Sequence, residues 1–96
     1  MSTLEYTVVD APESGQYEAR TPAGEVVGYS AYRRDGDTIV FPHTVVPPEH
    51  GGQGIASALA KTSLDDARAA GLTVVPACSF YATYIDRHPE YADLVR

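Results

Sequence analysis

A glycine-rich turn between a strand and a long helix is the feature of this sequence that most constrains its fold. It lies within residues 45–56, VVPPEHGGQGIA. Residues 38–46 are rich in β-branched side chains, and residues 55–70 contain neither proline nor glycine. A helix begins with main-chain N–H groups that have no partner inside the helix, at the positive end of its dipole. The stretch therefore predicts a site for an anion, and a diphosphate group fits it best.

Two well-known phosphate-binding loops do not match this turn. The P-loop has a lysine and a serine or threonine after its last glycine, where this chain has Ile55 and Ala56. The dinucleotide-binding turn has a third glycine at the position of Ser57. The glycines present still allow positive φ and a close approach of a ligand. The motif therefore excludes both of these nucleotide-binding classes.

The composition restricts the class of protein further. The chain has 96 residues, enough for one domain with its own core, and its net charge is −6. A nucleic-acid-binding domain would normally carry a basic surface, so we expect no nucleic-acid partner. Cys78 is the single cysteine, which excludes an internal disulfide and a cysteine-based zinc site. The three histidines have no ligand spacing, so we expect no metal site.

The start of the chain and its apolar runs indicate a compartment. Residues 1–5, MSTLE, contain neither the basic nor the apolar part of a leader. No apolar run approaches the ~18 residues of a membrane span. We therefore expect a cytoplasmic protein without a membrane partner.

Alternation of apolar and polar residues predicts strands in the first half of the chain. We expect them at residues 4–9, 16–21, 25–33 and 38–46, separated by turn signals. They would form a four-stranded meander, broken at Pro42 because proline cannot donate to a ladder.

Helices dominate the second half of the chain. Residues 55–70 predict a long helix that ends at Gly71, with an apolar face comprising Ile55, Ala56, Leu59, Ala60, Thr62, Leu64 and Ala67. Residues 72–76 predict a fifth strand, parallel to the fourth because a crossover joins them. Residues 80–87 predict a short second helix with Ser79 as its N-cap. We expect a single α+β domain spanning the chain, with a mixed, mostly antiparallel five-stranded sheet.

The turn resembles the acyl-CoA loop of the GCN5-related N-acetyltransferases, whose signature is Gln/Arg-x-x-Gly-x-Gly/Ala. Gly54 and Ala56 match its last two fixed positions, while Gly51 stands where the family usually has arginine or glutamine. Residues 76–80 (PACSF) and 88–91 (HPEY) are similar to the small, single-domain YjdJ-like branch of that family. The resemblance implies a minimal acyl-CoA N-acyltransferase fold with acetyl-CoA (coenzyme A) as its cofactor.

The resemblance also implies where the cofactor binds. In the family, acyl-CoA lies in a wedge where the fourth and fifth strands splay apart, and its pantetheine arm would pair here with Val45 and Val46. The diphosphate would meet main-chain amides of the turn and the helix start, namely Gly52, Gln53, Gly54, Ile55 and Ala56. Larger members have helices between their first two strands, for which residues 10–15 leave no room. The acceptor site is therefore expected to be open.

Three residues are candidates for the chemistry of acyl transfer. His43 precedes the pantetheine positions and is a candidate general base. Cys78 follows the fifth strand and is a candidate nucleophile, activated by His43 and by the next helix start. Tyr84 is a candidate proton donor to the leaving thiolate, as a tyrosine often is in this superfamily. Each also has a structural interpretation: Cys78 as a small buried residue, Tyr84 as a core aromatic, and His43 as the partner of a carbonyl.

Two functions agree with these features. The first is an acetyl-CoA-dependent N-acetyltransferase acting on a small amine, a protein lysine or a protein N-terminus, and His43 with Cys78 favours it. The second is a non-catalytic CoA-binding module that acts as a sensor or interaction partner. Gly51 and the missing acceptor helices favour that alternative. An exposed first strand is compatible with a monomer or a weak homodimer.

Overall fold

The computed structural model of the chain describes residues 4–95. Residues 1–3, part of the chain start considered above, lie outside the described residues. The strands are β1 (Thr7–Ala11), β2 (Gln16–Arg20), β3 (Val26–Ala31), β4 (Arg33–Asp35), β5 (Thr38–Val40), β6 (Thr44–Val45) and β7 (Thr73–Val75). The helices are α1 (Ile55–Ala69) and α2 (Ser79–Arg87), with short 3-10 helices at Pro12–Ser14, Pro48–His50 and Pro89–Leu94. The predicted α+β class is confirmed.

The strands form two hydrogen-bonded sheets instead of the single five-stranded sheet that we predicted. One is antiparallel, in the order β1-β2-β3-β6. In the other, β5 pairs antiparallel with β4 and parallel with β7. The predicted strand order and the parallel last strand are therefore confirmed, while the strand count changes from five to seven.

The extra strands arise because the predicted third and fourth strands each break. The N–H of Tyr32 still donates to the carbonyl of Gly15, 3.0 Å away, as the last bond beside β2, and from Arg33 the chain pairs with β5 in the second sheet. Pro42 has no N–H to donate, and β5 ends before it. The contact with β7 ends at Phe41, whose N–H donates to the carbonyl of Val75 at 3.1 Å. Beyond Phe41 the chain pairs with β3 alone, so β6 and the segment after β7 diverge.

α1 packs across both sheets and links two hydrophobic clusters. Its first turns contribute Ile55 and Leu59 to a cluster with β2 and β3. Its later turns pack with β5, β7, α2 and the last 3-10 helix. The predicted apolar face is confirmed at its Ile55, Leu59, Ala60, Leu64 and Ala67 positions. It is wrong at Thr62 and Ala56, which are half-buried, and it omitted Ser63, which is fully buried.

The helix ends follow the sequence signals with one exception. Gly71 adopts φ 71° just after α1, as expected of a residue that terminates a helix. His88 ends α2 before Pro89. The N-cap of α2 is Cys78 and not Ser79, because the helix begins one residue earlier than predicted. This shift places the cysteine directly at a helix start.

Candidate functional site

The glycine turn encloses a cavity of about 270 Å³ at the start of α1. The chain turns there because Pro48–His50 forms one 3-10 turn and two glycines follow with positive φ, Gly52 at 80° and Gly54 at 74°. Gly51 has an ordinary extended conformation. The cavity is lined by Val46, His50, Gly51, Gly52, Gly54, Ile55, Ala56 and Ser57. Five of the seven predicted cofactor-binding residues therefore lie together around it.

The start of α1 offers unpaired hydrogen-bond donors to this cavity. The first intrahelical bond runs from Ala58 N–H to Gly54 O, 3.0 Å. The N–H groups of Ile55, Ala56 and Ser57 precede that bond and so have no partner inside the helix. The first turn also contains no acidic side chain. The helix dipole at this end is therefore free to attract an anion.

Contacts with the N-terminal segment hold Gln53 outside the cavity lining. Tyr6 Oη donates to the carbonyl of Gln53 at 3.1 Å, and the main-chain N–H of Leu4 donates to its Oε1 at 3.4 Å. Both acceptor groups of Gln53 are thereby engaged, while its N–H is not part of these contacts. The segment that precedes β1 thus holds the turn in place.

The strand that leads into the turn has a free edge. β6 pairs with β3, and the bond from Ala31 N–H to His43 O, 3.0 Å, fixes the phase of the ladder. In an antiparallel ladder, successive residues direct their main-chain groups alternately towards and away from the partner strand. The main-chain N–H and C=O groups of Val45 therefore face β3. Those of Thr44 and Val46 face the gap between β6 and the segment after β7, which we call the wedge. Val46 thus presents hydrogen-bonding groups to the wedge, as predicted for a pantetheine partner. The other residue that does so is Thr44 and not the predicted Val45.

Cys78 lies at the base of this wedge. Its main-chain N–H donates to Phe41 O at 2.8 Å, at the last point where the two diverging segments meet. Its Sγ is 3.7 Å from Thr44 Oγ1. Burial raises the pKa of the thiol, but the Thr44 hydroxyl and the main-chain amides of Tyr81 and Phe80 outweigh it, so the pKa lies below its usual value. The sulfur makes no standard capping bond to α2, so these amides act on it through their partial charges.

His43 lies on the opposite face of the sheet from Cys78. Its exposed ring contacts Tyr29 edge-on, with 6.2 Å between ring centroids. The side chain of the next residue, Thr44, points to the other face, where it meets Ser30 and Cys78. The structure therefore does not bring His43 and Cys78 together as a hydrogen-bonded pair. The geometry therefore does not support activation of Cys78 by His43. Both residues nevertheless belong to the segments on either side of the wedge.

Tyr84 lies between α2 and α1, away from the wedge. Its ring stacks on His88 with 4.0 Å between centroids, and it is 8% exposed. Burial raises its pKa, and the charged groups that act on it include Lys61 and Asp65. None of these groups acts on Cys78. The geometry therefore favours the core interpretation of this tyrosine, and its role as a proton donor stays a prediction.

Two residues of the site, Thr44 and Ser57, escaped the sequence reasoning, while a place for His50 at the mouth of the loop was considered but not favoured. Thr44 borders the wedge with both its hydroxyl and its main chain, and its position next to His43 on a strand was the available signal. Ser57 lines the cavity because it belongs to the first helical turn, which the spacing from Gly54 could have shown. His50 lines it too, although the sequence favoured a plain surface histidine. A basic residue directly before a glycine turn was its signal.

The diverging strand pair beside a glycine turn at a helix start is the arrangement that the resemblance to acyl-CoA-binding acetyltransferases led us to expect. A family model described as GCN5-related N-acetyltransferase matches residues 16–94. This match covers most of the chain, which therefore belongs to that family. Membership supports acetyltransferase activity in general, while the YjdJ-like branch stays a prediction.

A solved structure agrees with this assignment. The chain is similar to the NMR solution structure of a candidate GCN5-like N-acetyltransferase from Staphylococcus aureus, with a TM-score of 0.70 and 27% sequence identity. The similarity covers 100% of this chain and 91% of that chain. It therefore extends over the whole fold and not only over the glycine turn.

Within residues 4–95, neither helix is long and apolar enough to cross a bilayer.

Proposed function

We propose that the protein transfers an acetyl group from acetyl-CoA to an amine. The observation that supports this most is the cavity at the junction of β6 and α1. There, the free edge of a strand leads directly into unpaired N–H groups at a helix start. A long ligand that carries amide groups at one end and a diphosphate further along would satisfy both sets of donors and acceptors.

The residues present fit acetyl-CoA, which supplies an activated acyl thioester when bound. The main chains of Val46 and Thr44 would hold the pantetheine amides, as a neighbouring strand would. The amides of residues 52–56 would hold the diphosphate, together with those of Ser57. The space around Gly52 is open, because a Cβ at this position would meet no protein atom within 4 Å. The backbone there is open to a close approach of a ligand.

The two faces of the wedge divide the chemistry. Cys78 places a thiol of lowered pKa at its base, where its thiolate would take the acyl group as the acyl–sulfur bond to CoA breaks and the departing CoA thiolate takes up a proton from solvent. His43 lies on the open face, where an amine can approach without an intervening helix. There it accepts the proton that the amine loses. In this proposal both predicted residues take part in the reaction, Cys78 with the acyl group and His43 with the amine.

A matched pair of glycine variants tests cofactor binding. Gly52 and Gly24 both have positive φ, 80° and 89°, and a Cβ at either would meet nothing within 4 Å. Gly52→Ala and Gly24→Ala should therefore lose a similar stability, about 1–2 kcal/mol. Only Gly52→Ala should weaken binding in a calorimetric titration with CoA. Equal affinity of both variants, or no saturable heat with the unaltered protein, would refute the proposed site.

A turnover assay distinguishes an active acetyltransferase from a non-catalytic CoA-binding module. Release of free thiol from acetyl-CoA, measured with a panel of primary amines, should fall at least about 100-fold in His43→Ala and in Cys78→Ala. Both variants should retain CoA affinity. Tyr84→Phe should keep its turnover if the tyrosine is a core residue, and lose it if the hydroxyl donates a proton. Saturable CoA binding without turnover on any amine would contradict the enzyme and leave the module.

A further inference from the structure

A chain of buried hydroxyl groups begins in the core between α1 and α2. Ser63 Oγ donates to the Ala60 carbonyl at 3.1 Å and lies 2.7 Å from Tyr81 Oη. Tyr81 Oη also contacts the hydroxyl of Ser30 on β3. Ser63, Tyr81 and Ser30 are each 0% exposed. These polar groups depend on protein partners for their hydrogen bonds, because water does not reach them.

The chain continues to the base of the wedge. Ser30 Oγ lies 3.1 Å from Thr44 Oγ1, and Thr44 Oγ1 lies 3.7 Å from Cys78 Sγ. Of the linked groups, Thr44 and Cys78 are half-buried, while those behind them are inaccessible. The buried chain therefore ends on the sulfur that borders the cofactor wedge.

The donors and acceptors fix a direction along this chain. A hydroxyl has one proton to donate, and that of Ser63 goes to a helix carbonyl. Tyr81 must then donate to Ser63, and Ser30 must donate to Tyr81. The hydroxyl of Thr44 in turn donates to Ser30, and the thiol of Cys78 donates to Thr44. With a neutral thiol, every group in the chain is satisfied and each bond polarises the next.

We infer that Thr44 is a positioning residue that holds the Cys78 sulfur and prepares it to lose its proton. When the thiol proton leaves, the Thr44 hydroxyl turns its hydrogen from Ser30 to the sulfur by rotation about its C–O bond. No heavy atom has to move, and the thiolate gains a donor. This inference rests on the proposed role of Cys78 as the group that receives the acyl chain.

The surroundings of the sulfur contain few other groups that change charge. Tyr81 comes from α2, and burial raises its pKa to about 12, so it stays protonated at neutral pH. His43 lies on the other face of the sheet, against Tyr29. The other groups that lower the pKa of the thiol are main-chain amides of Tyr81, Phe80 and Thr44 itself, which do not titrate. The Thr44 hydroxyl is thus the side chain whose removal should change the ionisation of Cys78.

The rate at which iodoacetamide alkylates Cys78 tests this inference without any cofactor. Cys78 is the single cysteine, so the intact mass of the full chain reports its alkylation alone. In Thr44→Val, the thiolate loses a charge-assisted hydrogen bond, and the rate near neutral pH should fall about tenfold. The midpoint of its pH profile should also move to higher pH. Thr44→Ser keeps the hydroxyl and should restore both the rate and the midpoint.

Two results would overturn the inference. The first is an unchanged rate and midpoint in Thr44→Val, with thermal unfolding showing that the variant is folded. Thr44→Ala gives the second test if valine disturbs the packing, and it too should slow the reaction. A wild-type pH profile in that alanine variant would equally exclude a role for Thr44.

Its failure is distinguishable from failure of the proposed function. Thr44-dependent alkylation in a protein that turns over no amine would support the positioning role and refute the enzyme. Normal alkylation of Thr44→Val beside intact acetyl transfer by the unaltered protein would do the reverse.

Discussion

Neighbouring residues of the chain around β6 serve opposite faces of the sheet. The ring of His43 contacts Tyr29 on the open face, while the hydroxyl of Thr44 meets Ser30 and Cys78 on the helix face. One residue of strand length therefore separates the proposed general base from the threonine that contacts the proposed nucleophile, Cys78. Because the two act from different faces, they need not contact each other to take part in one reaction.

Glu18 is a buried carboxylate on the same face of the sheet as His43, and its surroundings should make the stability of the fold depend on pH. Glu18 accepts a hydrogen bond from Gln16 Nε2 at 2.7 Å and pairs with Arg20 at 2.7 Å. The Gln16 bond, and then the Arg20 bond, lower its pKa from the usual 4.5, although burial opposes them. A folded-state pKa below the unfolded value means that the carboxylate stabilises the fold above pH 4.5. That stabilisation is lost as the pH falls below this value.

We expect Glu18→Gln to lower the free energy of unfolding near neutral pH by about 1–2 kcal/mol, because Arg20 loses its ionic partner. The difference from the unaltered protein should shrink as the pH falls below 4.5. Urea unfolding at both pH values measures it. Glu25→Gln removes the same charge from an exposed site and should have little effect at either pH. A difference that stays constant with pH would contradict the assignment.

At the scale of elements, the sequence predicted correctly those features that depend on residues close together in the chain. α1 could be placed because its turn glycines lie next to it and no helix breaker interrupts it. The residues that surround the cavity could be located for the same reason, since the turn and the helix start are adjacent in sequence.

The breaks in the sheet could not be predicted in the same way. Tyr32 is a good strand residue within an uninterrupted run, and the residues after it pair with β5 in the second sheet instead of continuing beside β2. The contact between Thr44 and Cys78 joins residues 34 apart. This contact depends on the face of the sheet to which the Thr44 side chain points. The break at Pro42 prevents that face from being read from the alternation of apolar and polar residues. Long-range pairing, and not local propensity, decides these features.

The packing of β3 against α1 and β6 depends on Gly28. A Cβ at this position would lie 2.7 Å from Ile55 Cγ2 and 3.2 Å from Val46 Cγ2, and both side chains line the cofactor cavity. Gly28→Ala should therefore displace the start of α1. We expect a loss of about 1–3 kcal/mol in stability and a weaker titration with CoA.

Leucine at position 55 offers a matched control for this prediction, because its side chain has no Cγ2. The double variant Gly28→Ala with Ile55→Leu should regain part of both the stability and the affinity. Chemical unfolding and CoA titration of the single and double variants measure this coupling. Strictly additive losses would show that the predicted clash does not transmit the effect.

At the scale of the whole molecule, one helix connects the two halves of the core. α1 places Ile55 and Leu59 in the cluster of the first sheet, and Leu64 and Ala67 in the cluster of the second. The proposed cofactor site lies at the first turn of this helix. Binding there should therefore stabilise both clusters together, since a ligand that binds only the folded state raises its stability by mass action.

The free edge of β6 has a consequence for exchange of amide hydrogens with deuterated water. The N–H groups of Thr44 and Val46 face the wedge, whereas that of Val45, between them, bonds to β3. In the free protein, the outer two amides should take up deuterium quickly and the middle one slowly, a contrast within three consecutive residues. CoA should slow the outer amides and leave the middle one unchanged. An even exchange pattern across the three would show that the strand has no such free edge.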